Sequence, residues 1–268
     1  MSQPAAVAVR NVNKIFNAGK PNQVDALVDV SLDVRPGTFV SLIGPSGCGK
    51  STLLRLIADL TQPTSGEISV NGKSATQSRN DQDYGMAFQA AGLFDWRKVA
   101  KNIELPLELR GWDRAKRSAR SAEMLDLVQL REFGNHYPWE LSGGMQQRVA
   151  IARALAVDPP LLLMDEPFGA LDEMTREHMQ SELLRICAAT DKTVVFVTHS
   201  IPEAVYLSDQ VVVMSPRPGR ITDIIDVNLG DRSDDARESS EFFAKITAVR
   251  EALRGIEKTS KPTGVDDR

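Results

Sequence analysis

One segment constrains the fold of this chain more than any other. Residues 44–51, Gly-Pro-Ser-Gly-Cys-Gly-Lys-Ser, follow an apolar stretch at residues 39–43 and precede an amphipathic stretch at residues 52–60. The spacing G-x-x-x-x-G-K-S is that of a phosphate-binding loop, which requires a buried strand before it and a helix after it. The chain therefore contains at least one βα unit of the kind that binds nucleotides.

Glycine is needed in such a loop because backbone N–H groups must approach a phosphate closely, in conformations that side chains disfavour. We expect Lys50 to reach the β- and γ-phosphates and Ser51 to ligate Mg²⁺, with the helix dipole adding a favourable field. We expect Cys48 to be an inert packing residue. The residues predicted to line the phosphate site are Gly44, Pro45, Ser46, Gly47, Cys48, Gly49, Lys50, Ser51 and Thr52.

Composition narrows the class of protein. The chain has 268 residues, 42% of them hydrophobic and 25% charged, which is typical of a soluble α/β protein. Its net charge of -4 disfavours a strongly basic nucleic-acid binder. Apolar runs are far shorter than the about 20 residues that span a bilayer, so any membrane role requires a partner. We expect a chain without a secretory signal that remains in the cytoplasm.

Alternating apolar residues predict an antiparallel β lobe near the N-terminus. Residues 28–34 alternate and end at a Pro-Gly turn, and residues 7–12 supply a partner strand. Residues 68–70 form a further strand, closed by the turn-forming pair Asn71-Gly72.

The rest of the chain predicts an α/β core. Apolar runs at residues 161–164 and 193–197 bracket a helical stretch at residues 176–189, and this β-α-β order indicates a parallel sheet. Residues 113–130 have an amphipathic helical pattern. The predicted fold is thus α/β: a P-loop NTPase (RecA-like) core with a parallel sheet, an N-terminal antiparallel β lobe and an inserted α-helical subdomain at about residues 90–155.

A C-terminal helix is predicted beyond the domain at residues 5–230. Phe242, Ile246, Val249, Leu253 and Ile256 form one apolar stripe, which favours docking on the same domain over a coiled coil. Residues 258–268 contain too few apolar side chains to order themselves.

Two carboxylates end the strand at residues 161–164. Asp165 and Glu166 are expected at the carboxyl edge of the sheet, where α/β proteins bind ligands. We expect Asp165 to hold Mg²⁺ and Glu166 to polarise the attacking water, which contributes about 10² to 10⁴ in rate. The alternative is that both are acids at the start of a helix.

Three single residues complete the candidate site. The Gln89 amide follows a strand-like segment and is suited to ligating Mg²⁺ and touching water. His199 ends the run at residues 193–198 and is suited to donating a hydrogen bond to the γ-phosphate, while Ser200 and Glu203 form a capping-box pattern behind it. Phe16 is suited to stacking on a purine, with core packing as the alternative.

A second anion-binding helix start is predicted at Ser142, where Gly143 and Gly144 leave N–H groups bare. The phosphate loop already binds the phosphates of this chain's own nucleotide. We therefore expect the second helix start to bind the nucleotide held by another copy of the chain.

Taken together, these motifs resemble those of ATP-binding cassette (ABC) transporter ATPases over residues 5–220. The resemblance adds residues 141–148 (Leu-Ser-Gly-Gly-Met-Gln-Gln-Arg) and residues 169–172 (Gly-Ala-Leu-Asp). It implies ATP and Mg²⁺ as cofactors, ATP hydrolysis, and two cassettes that close over two ATP molecules, with Asp172 joining the two sites and an identical chain as the expected second cassette.

The resemblance also implies partners and a location. They are a transmembrane permease, an extracytoplasmic substrate-binding protein, no nucleic acid, and a peripheral position at the cytoplasmic face of the inner membrane. Residues 164–172 and 214–220 resemble the branch that imports nitrate, sulfonates, taurine or related small molecules. We expect the permease to dock on Leu93, Phe94, Trp96 and Val99, the alternative being that these residues pack the helical insertion.

Two other classes of protein are weighed against this reading. A soluble ABC ATPase acting on nucleic acid or ribosomes fits poorly, because the chain has one cassette and no basic surface run. A P-loop small-molecule kinase would leave residues 141–148 and Asp172 without a role.

Overall fold

The computed structural model of the chain describes residues 4–230, residue 232 and residues 234–260. The strands are β1 (Val7–Phe16), β2 (Val24–Val34), β3 (Phe39–Ile43), β4 (Ser65–Val70), β5 (Lys73–Ser74), β6 (Tyr84–Ala87), β7 (Leu161–Asp165), β8 (Thr193–Val197), β9 (Gln210–Met214) and β10 (Ile221–Asp226). The helices are α1 (Lys50–Ile57), α2 (Ala75–Asn80), α3 (Val99–Leu109), α4 (Arg114–Leu127), α5 (Gly143–Leu155), α6 (Glu173–Thr190), α7 (Ile201–Leu207) and α8 (Ser240–Ser260), with 3₁₀ turns at Arg131–Phe133, Pro138–Glu140 and Asp234–Glu238.

These elements form two compact units. One comprises the described residues of Met1–Gln77 and Val195–Arg268, and the other comprises Ser78–Val194. Within the described ranges, no helix combines the length and the apolar character that crossing a membrane requires.

The first unit contains the predicted antiparallel lobe. Its strand order is β2-β1-β4-β5, with Val9 opposite both Leu32 and Ile68. Alternate residues of β2 are buried because one face of the sheet packs on the core. Asn71 and Gly72 turn between β4 and β5 with φ of 50° and 75°, the left-handed conformation that such tight hairpins need.

A second sheet in the first unit leads into the phosphate loop. β3 is buried throughout and pairs in parallel with β9, whose other neighbour is the antiparallel strand β10. Residues of β8 that belong to this unit lie next to β3, and just beyond them Thr198 N donates to Leu42 O at 3.3 Å. The buried strands predicted at residues 39–43 and 193–197 are confirmed.

The C-terminal helix α8 docks on its own unit. Phe242, Ile246 and Val249 are buried where α8 packs against α7, β9 and β10. Docking is therefore confirmed over the coiled-coil alternative. The Ile256 side chain and residues 261–268 lie outside the described part of the chain.

The second unit joins a parallel strand pair to a group of helices. β6 and β7 are parallel, with Tyr84 opposite Leu161, and helices α3, α4 and α5 pack on one another. The helix predicted at residues 113–130 ends early, at Leu127, because Gln129 has a φ of 56°. Val128 and Leu130 are nevertheless buried.

Candidate functional site

The phosphate loop occupies the predicted position between a strand and a helix. β3 ends at Ile43, and α1 begins at Lys50 and ends at Ile57, three residues before the predicted end. Gly47 and Gly49 have φ of 74° and 102°, a region that residues with a Cβ avoid. The glycines at these two positions are thus required by the backbone itself.

Lys50 places its charge inside this loop. The side chain is 7% exposed, and Nζ donates to Gly44 O at 2.8 Å and to Pro45 O at 3.1 Å. Cys48 is fully buried beside it, with Sγ 3.8 Å from Nζ. A fixed cation within a glycine-rich loop at a helix start is suited to the phosphates of a nucleotide, so the residues present fit ATP.

Two residues far along the chain contact this loop. Sequence reasoning used their segment, residues 214–220, only for the family resemblance and gave neither residue a place in the site. Arg217 Nε donates to Gly47 O at 3.4 Å, and a Cβ added to Gly219 would lie 2.0 Å from Cys48 O. The Pro-Arg-Pro-Gly cluster at residues 216–219 was the available signal, since such clusters mark tight loops.

Phe16 lies at the end of β1 with 38% of its surface exposed. Lys14 Nζ is 4.8 Å from the ring centroid, a cation–π contact. The core-packing alternative is therefore wrong, whereas stacking on a purine stays a prediction.

His199 is exposed directly after β8 and the buried Thr198, as the strand-end prediction requires. Ser200 caps α7 by accepting from Glu203 N at 3.4 Å. The capping-box pattern is changed, however: Ser200 N donates to Thr198 Oγ1 at 3.0 Å, and the Thr198 hydroxyl donates to the Glu203 carboxylate. This network fixes the segment that carries His199.

Asp165 and Glu166 lie at the end of β7 in the second unit. Asp165 is 3% exposed, and Glu166 has a φ of 47°. A non-glycine residue in this conformation costs about 1–3 kcal/mol and is characteristic of functional positions. Because α6 begins only at Glu173, the alternative that these are helix-start acids is wrong.

The structure brings Gln89 and Glu166 together. Gln89 Nε2 donates to Glu166 Oε2 at 3.4 Å, which places the predicted amide beside the predicted general base. No group of three or more His, Cys, Asp or Glu side chains that could hold a metal occurs among the described residues.

Helix α5 holds the backbone on both sides of Gln89. Gln147, 2% exposed, donates from Nε2 to Phe88 O at 2.8 Å. Arg153 donates to Ala91 O and Gly92 O, each at 2.9 Å, and burial lowers the pKa of its guanidinium. Sequence reasoning missed both side chains, because a helical residue gives no signal of the distant loop that it contacts.

The start of α5 has the predicted capped geometry. Ser142 Oγ accepts from Met145 N at 3.3 Å. Among the described residues, no atom beyond its own helix and chain neighbours lies within 4 Å of a Cβ added to Gly143, whereas a Cβ on Gly144 would lie 3.2 Å from Ala170 O. The helix start is therefore open at Gly143 and packed against residues 170–171 at Gly144.

Asp172 caps α6 in the adjoining segment. Its side chain accepts from Thr175 N at 3.0 Å. This hydrogen bond is the main cause of a lowered Asp172 pKa, and the nearby Arg148 guanidinium lowers it further. Arg176 donates to Leu171 O at 2.8 Å, which fixes the turn before the cap. Arg148 belongs to the predicted motif at residues 141–148 but was given no role of its own, and sequence reasoning missed Arg176.

The predicted docking residues divide between surface and core. Trp96 is 74% exposed, and its ring centroid is 4.9 Å from that of the half-buried Phe94; Leu93 is also half-buried. Val99 is fully buried in the first turn of α3, so its inclusion was wrong. Buried Asn102 exchanges hydrogen bonds with Phe94 N and O at 2.8 and 3.1 Å, which fixes this loop.

Comparison with known proteins identifies similar chains. A family model described as ABC transporter matches residues 27–169. A taurine import ATP-binding protein of Jannaschia sp. (strain CCS1) is 43% identical over 252 residues, which is 93% of each chain. A nitrate import ATP-binding protein of Synechococcus elongatus is 48% identical over 225 residues, covering 83% of this chain and 34% of its own.

A solved structure is similar as well. It is the dimeric post-hydrolysis state of an ATP-binding cassette bound to ADP and phosphate, with a TM-score of 0.77 and 36% identity over 83% of this chain and 99% of that one.

Proposed function

The chain belongs to the ABC transporter family, and we propose that it is the ATP-hydrolysing subunit that drives import of a small anionic molecule through a separate membrane permease. Its fold is that of an ABC ATPase cassette, an α/β core with an antiparallel N-terminal lobe. The observation that carries the importer function is the 43% identity, over 93% of both chains, to a taurine import ATP-binding protein.

The proposed chemistry assigns a role to each candidate residue. The phosphate loop and Lys50 bind the phosphates of ATP, which the fixed ammonium and the left-handed glycines support. Bound Mg²⁺, with Ser51, Gln89 and Asp165 as proposed ligands, would neutralise charge on the phosphates.

Glu166 accepts the proton of the attacking water as general base. Its contact with the Gln89 amide supports this role, because the amide can orient the carboxylate without adding charge. His199 donates to the γ-phosphate, and Phe16 stacks on the adenine ring.

A second copy of the chain completes the proposed machine. The Ser142–Gly144 helix start would bind the γ-phosphate held by the other copy, and Asp172 would join the two sites. The open space at Gly143 supports this role, since no described atom beyond its own helix and chain neighbours lies within 4 Å of an added Cβ. The dimeric cassette with 36% identity supports pairing.

The cargo and the membrane partners follow from the relatives. Taurine carries a sulfonate and nitrate is an anion, so we expect an imported molecule with an anionic oxygen group. The permease docks at Leu93, Phe94 and Trp96, which places the chain at the cytoplasmic face of the membrane. An extracytoplasmic substrate-binding protein delivers the cargo.

Substitution Glu166→Gln tests this function, because it keeps the shape and removes the base. ATP should still bind, turnover should fall by about 10² to 10⁴, and size-exclusion chromatography with ATP should show a dimer. Glu132→Gln, at an exposed position in the 3₁₀ turn Arg131–Phe133, is the matched control and should behave as the wild type. Wild-type turnover in Glu166→Gln, or a variant that binds ATP and stays monomeric, would contradict the proposal.

A further inference from the structure

Residues 215–220 (Ser-Pro-Arg-Pro-Gly-Arg), between β9 and β10, form a tight loop that we call the 215–220 loop. We propose that this loop holds the backbone of the phosphate loop in its nucleotide-binding conformation, and that Arg217 is a positioning residue for nucleotide binding. The inference rests on the proposed role of the phosphate loop in binding ATP.

The 215–220 loop is closed on itself. Ser215 N donates to Arg220 O at 2.9 Å, and Ser215 Oγ accepts from Arg220 N at 3.0 Å. The same hydroxyl donates to Pro218 O at 3.1 Å. Two prolines restrict φ within the loop. It therefore presents its other atoms in one fixed arrangement.

The loop is also anchored to the antiparallel lobe. Gly219 N donates to Ala26 O at 3.0 Å, and Val28 N donates to Gly219 O at 3.0 Å. Gly219 thus pairs with β2 as an additional rung of backbone hydrogen bonds, and it is buried there. These two hydrogen bonds fix the Gly219 backbone against β2.

The 215–220 loop contacts two successive carbonyl groups of the phosphate loop, those of Gly47 and Cys48. The Gly219 backbone lies against Cys48 O, since an added Cβ would be 2.0 Å from it. Arg217 Nε donates to Gly47 O at 3.4 Å, and Arg217 Nη2 is 3.3 Å from the position of a Cβ on Gly47. The guanidinium therefore lies against the Gly47 backbone.

These contacts fix the peptide group between Gly47 and Cys48, which is part of the phosphate loop. In a trans peptide the C=O and the following N–H point in opposite directions. Holding Gly47 O therefore also fixes the direction of Cys48 N–H, which donates to Pro45 O at 3.3 Å and closes a turn inside the phosphate loop. Lys50 Nζ donates to the same Pro45 O at 3.1 Å, so this peptide and the lysine ammonium are linked through one carbonyl group.

The predicted consequence is a loss of nucleotide affinity without a loss of chemistry. The loop backbone binds the α- and β-phosphates, which ATP and ADP share. Removing the Arg217 contact should weaken both nucleotides equally, so KM for ATP should rise while kcat stays unchanged.

The experiment compares Arg217→Ala with Arg220→Ala in the full-length chain. Arg217→Ala should raise the Kd of Mg-ATP and of Mg-ADP by roughly two- to tenfold, the range expected for one hydrogen bond. Arg220→Ala removes the same charge from the same loop and should leave both Kd values unchanged, because Arg220 bonds to Ser215 through its backbone N and O, which alanine retains. Arg217 is exposed, so its substitution should leave the thermal unfolding midpoint unchanged.

Three results would overturn the inference: unchanged Kd values in Arg217→Ala, an equal rise in both variants, or a fall in kcat at unchanged KM. Lys50→Ala separates this inference from the proposed function. If Lys50→Ala binds ATP like the wild type, the role of the phosphate loop itself fails. If Lys50→Ala loses binding while Arg217→Ala keeps it, only the role of Arg217 fails.

Discussion

Gly219→Ala tests the close packing of the Gly219 backbone against Cys48 O in the phosphate loop, without changing any charge. Gly219 does not have a positive φ, so alanine suits its backbone and only space is at issue. The new Cβ would lie 2.0 Å from Cys48 O and 3.1 Å from Leu27 Cδ2, whereas real Cβ contacts are essentially never under 3.0 Å. The two backbones must therefore separate by about 1 Å.

The expected change in the Kd of ATP depends on whether Gly219 or the phosphate loop moves to accommodate the new Cβ. Gly219 is held to β2 by two backbone hydrogen bonds of 3.0 Å each, so the displacement falls on the phosphate loop. Forcing one extra carbon into a packed site costs about 1–3 kcal/mol. If that strain opposes the nucleotide-binding form of the loop, the Kd of ATP rises by roughly 5- to 150-fold.

Calorimetric titration with Mg-ATP and thermal unfolding measure the two effects. Gly255→Ala is the matched control, because Gly255 lies in α8 and no described atom outside that helix lies within 4 Å of the added Cβ. That control should keep wild-type affinity and gain up to about 1 kcal/mol in the free energy of unfolding from helix propensity. If Gly219→Ala keeps both the wild-type affinity and the wild-type unfolding midpoint, the steric reasoning is refuted.

Two further substitutions test the proposed partners. Ser142→Arg should eliminate ATP hydrolysis while the same chain still binds ATP, because the substituted segment acts on the nucleotide of the opposing copy. Titration with ATP measures the binding. An equal loss of binding would show that the segment acts within its own chain. Phe94→Ser combined with Trp96→Ser should abolish co-purification with the permease. Basal ATPase activity and the unfolding midpoint should be retained, since Trp96 is 74% exposed. A destabilised chain without basal activity would show that these residues belong to the core.

Much of the fold was predictable because its signals are local. The alternation along β2 is set by the two faces of one strand. Ser142 and Asp172 cap helices through bonds to backbone N–H groups three residues ahead. Helix ends were predicted less well, since α4 stops where Gln129 takes a left-handed conformation.

The candidate site was predictable where a motif carries its own chemistry. The spacing of residues 44–51 by itself predicted glycines in conformations that side chains disfavour, and Gly47 and Gly49 adopt them. Whether Trp96 or Val99 would be exposed was not predictable, because short apolar segments look alike on the surface and in the core.

The sequence by itself determined the motifs, the α/β class and the caps, because each depends on residues within a few positions of one another. The tertiary structure alone decided the contacts between distant segments. Gln147 meets Phe88 across 59 residues, and Arg217 meets Gly47 across 170. No period or spacing encodes such pairs, since they arise only when packed helices and paired strands bring separate loops together.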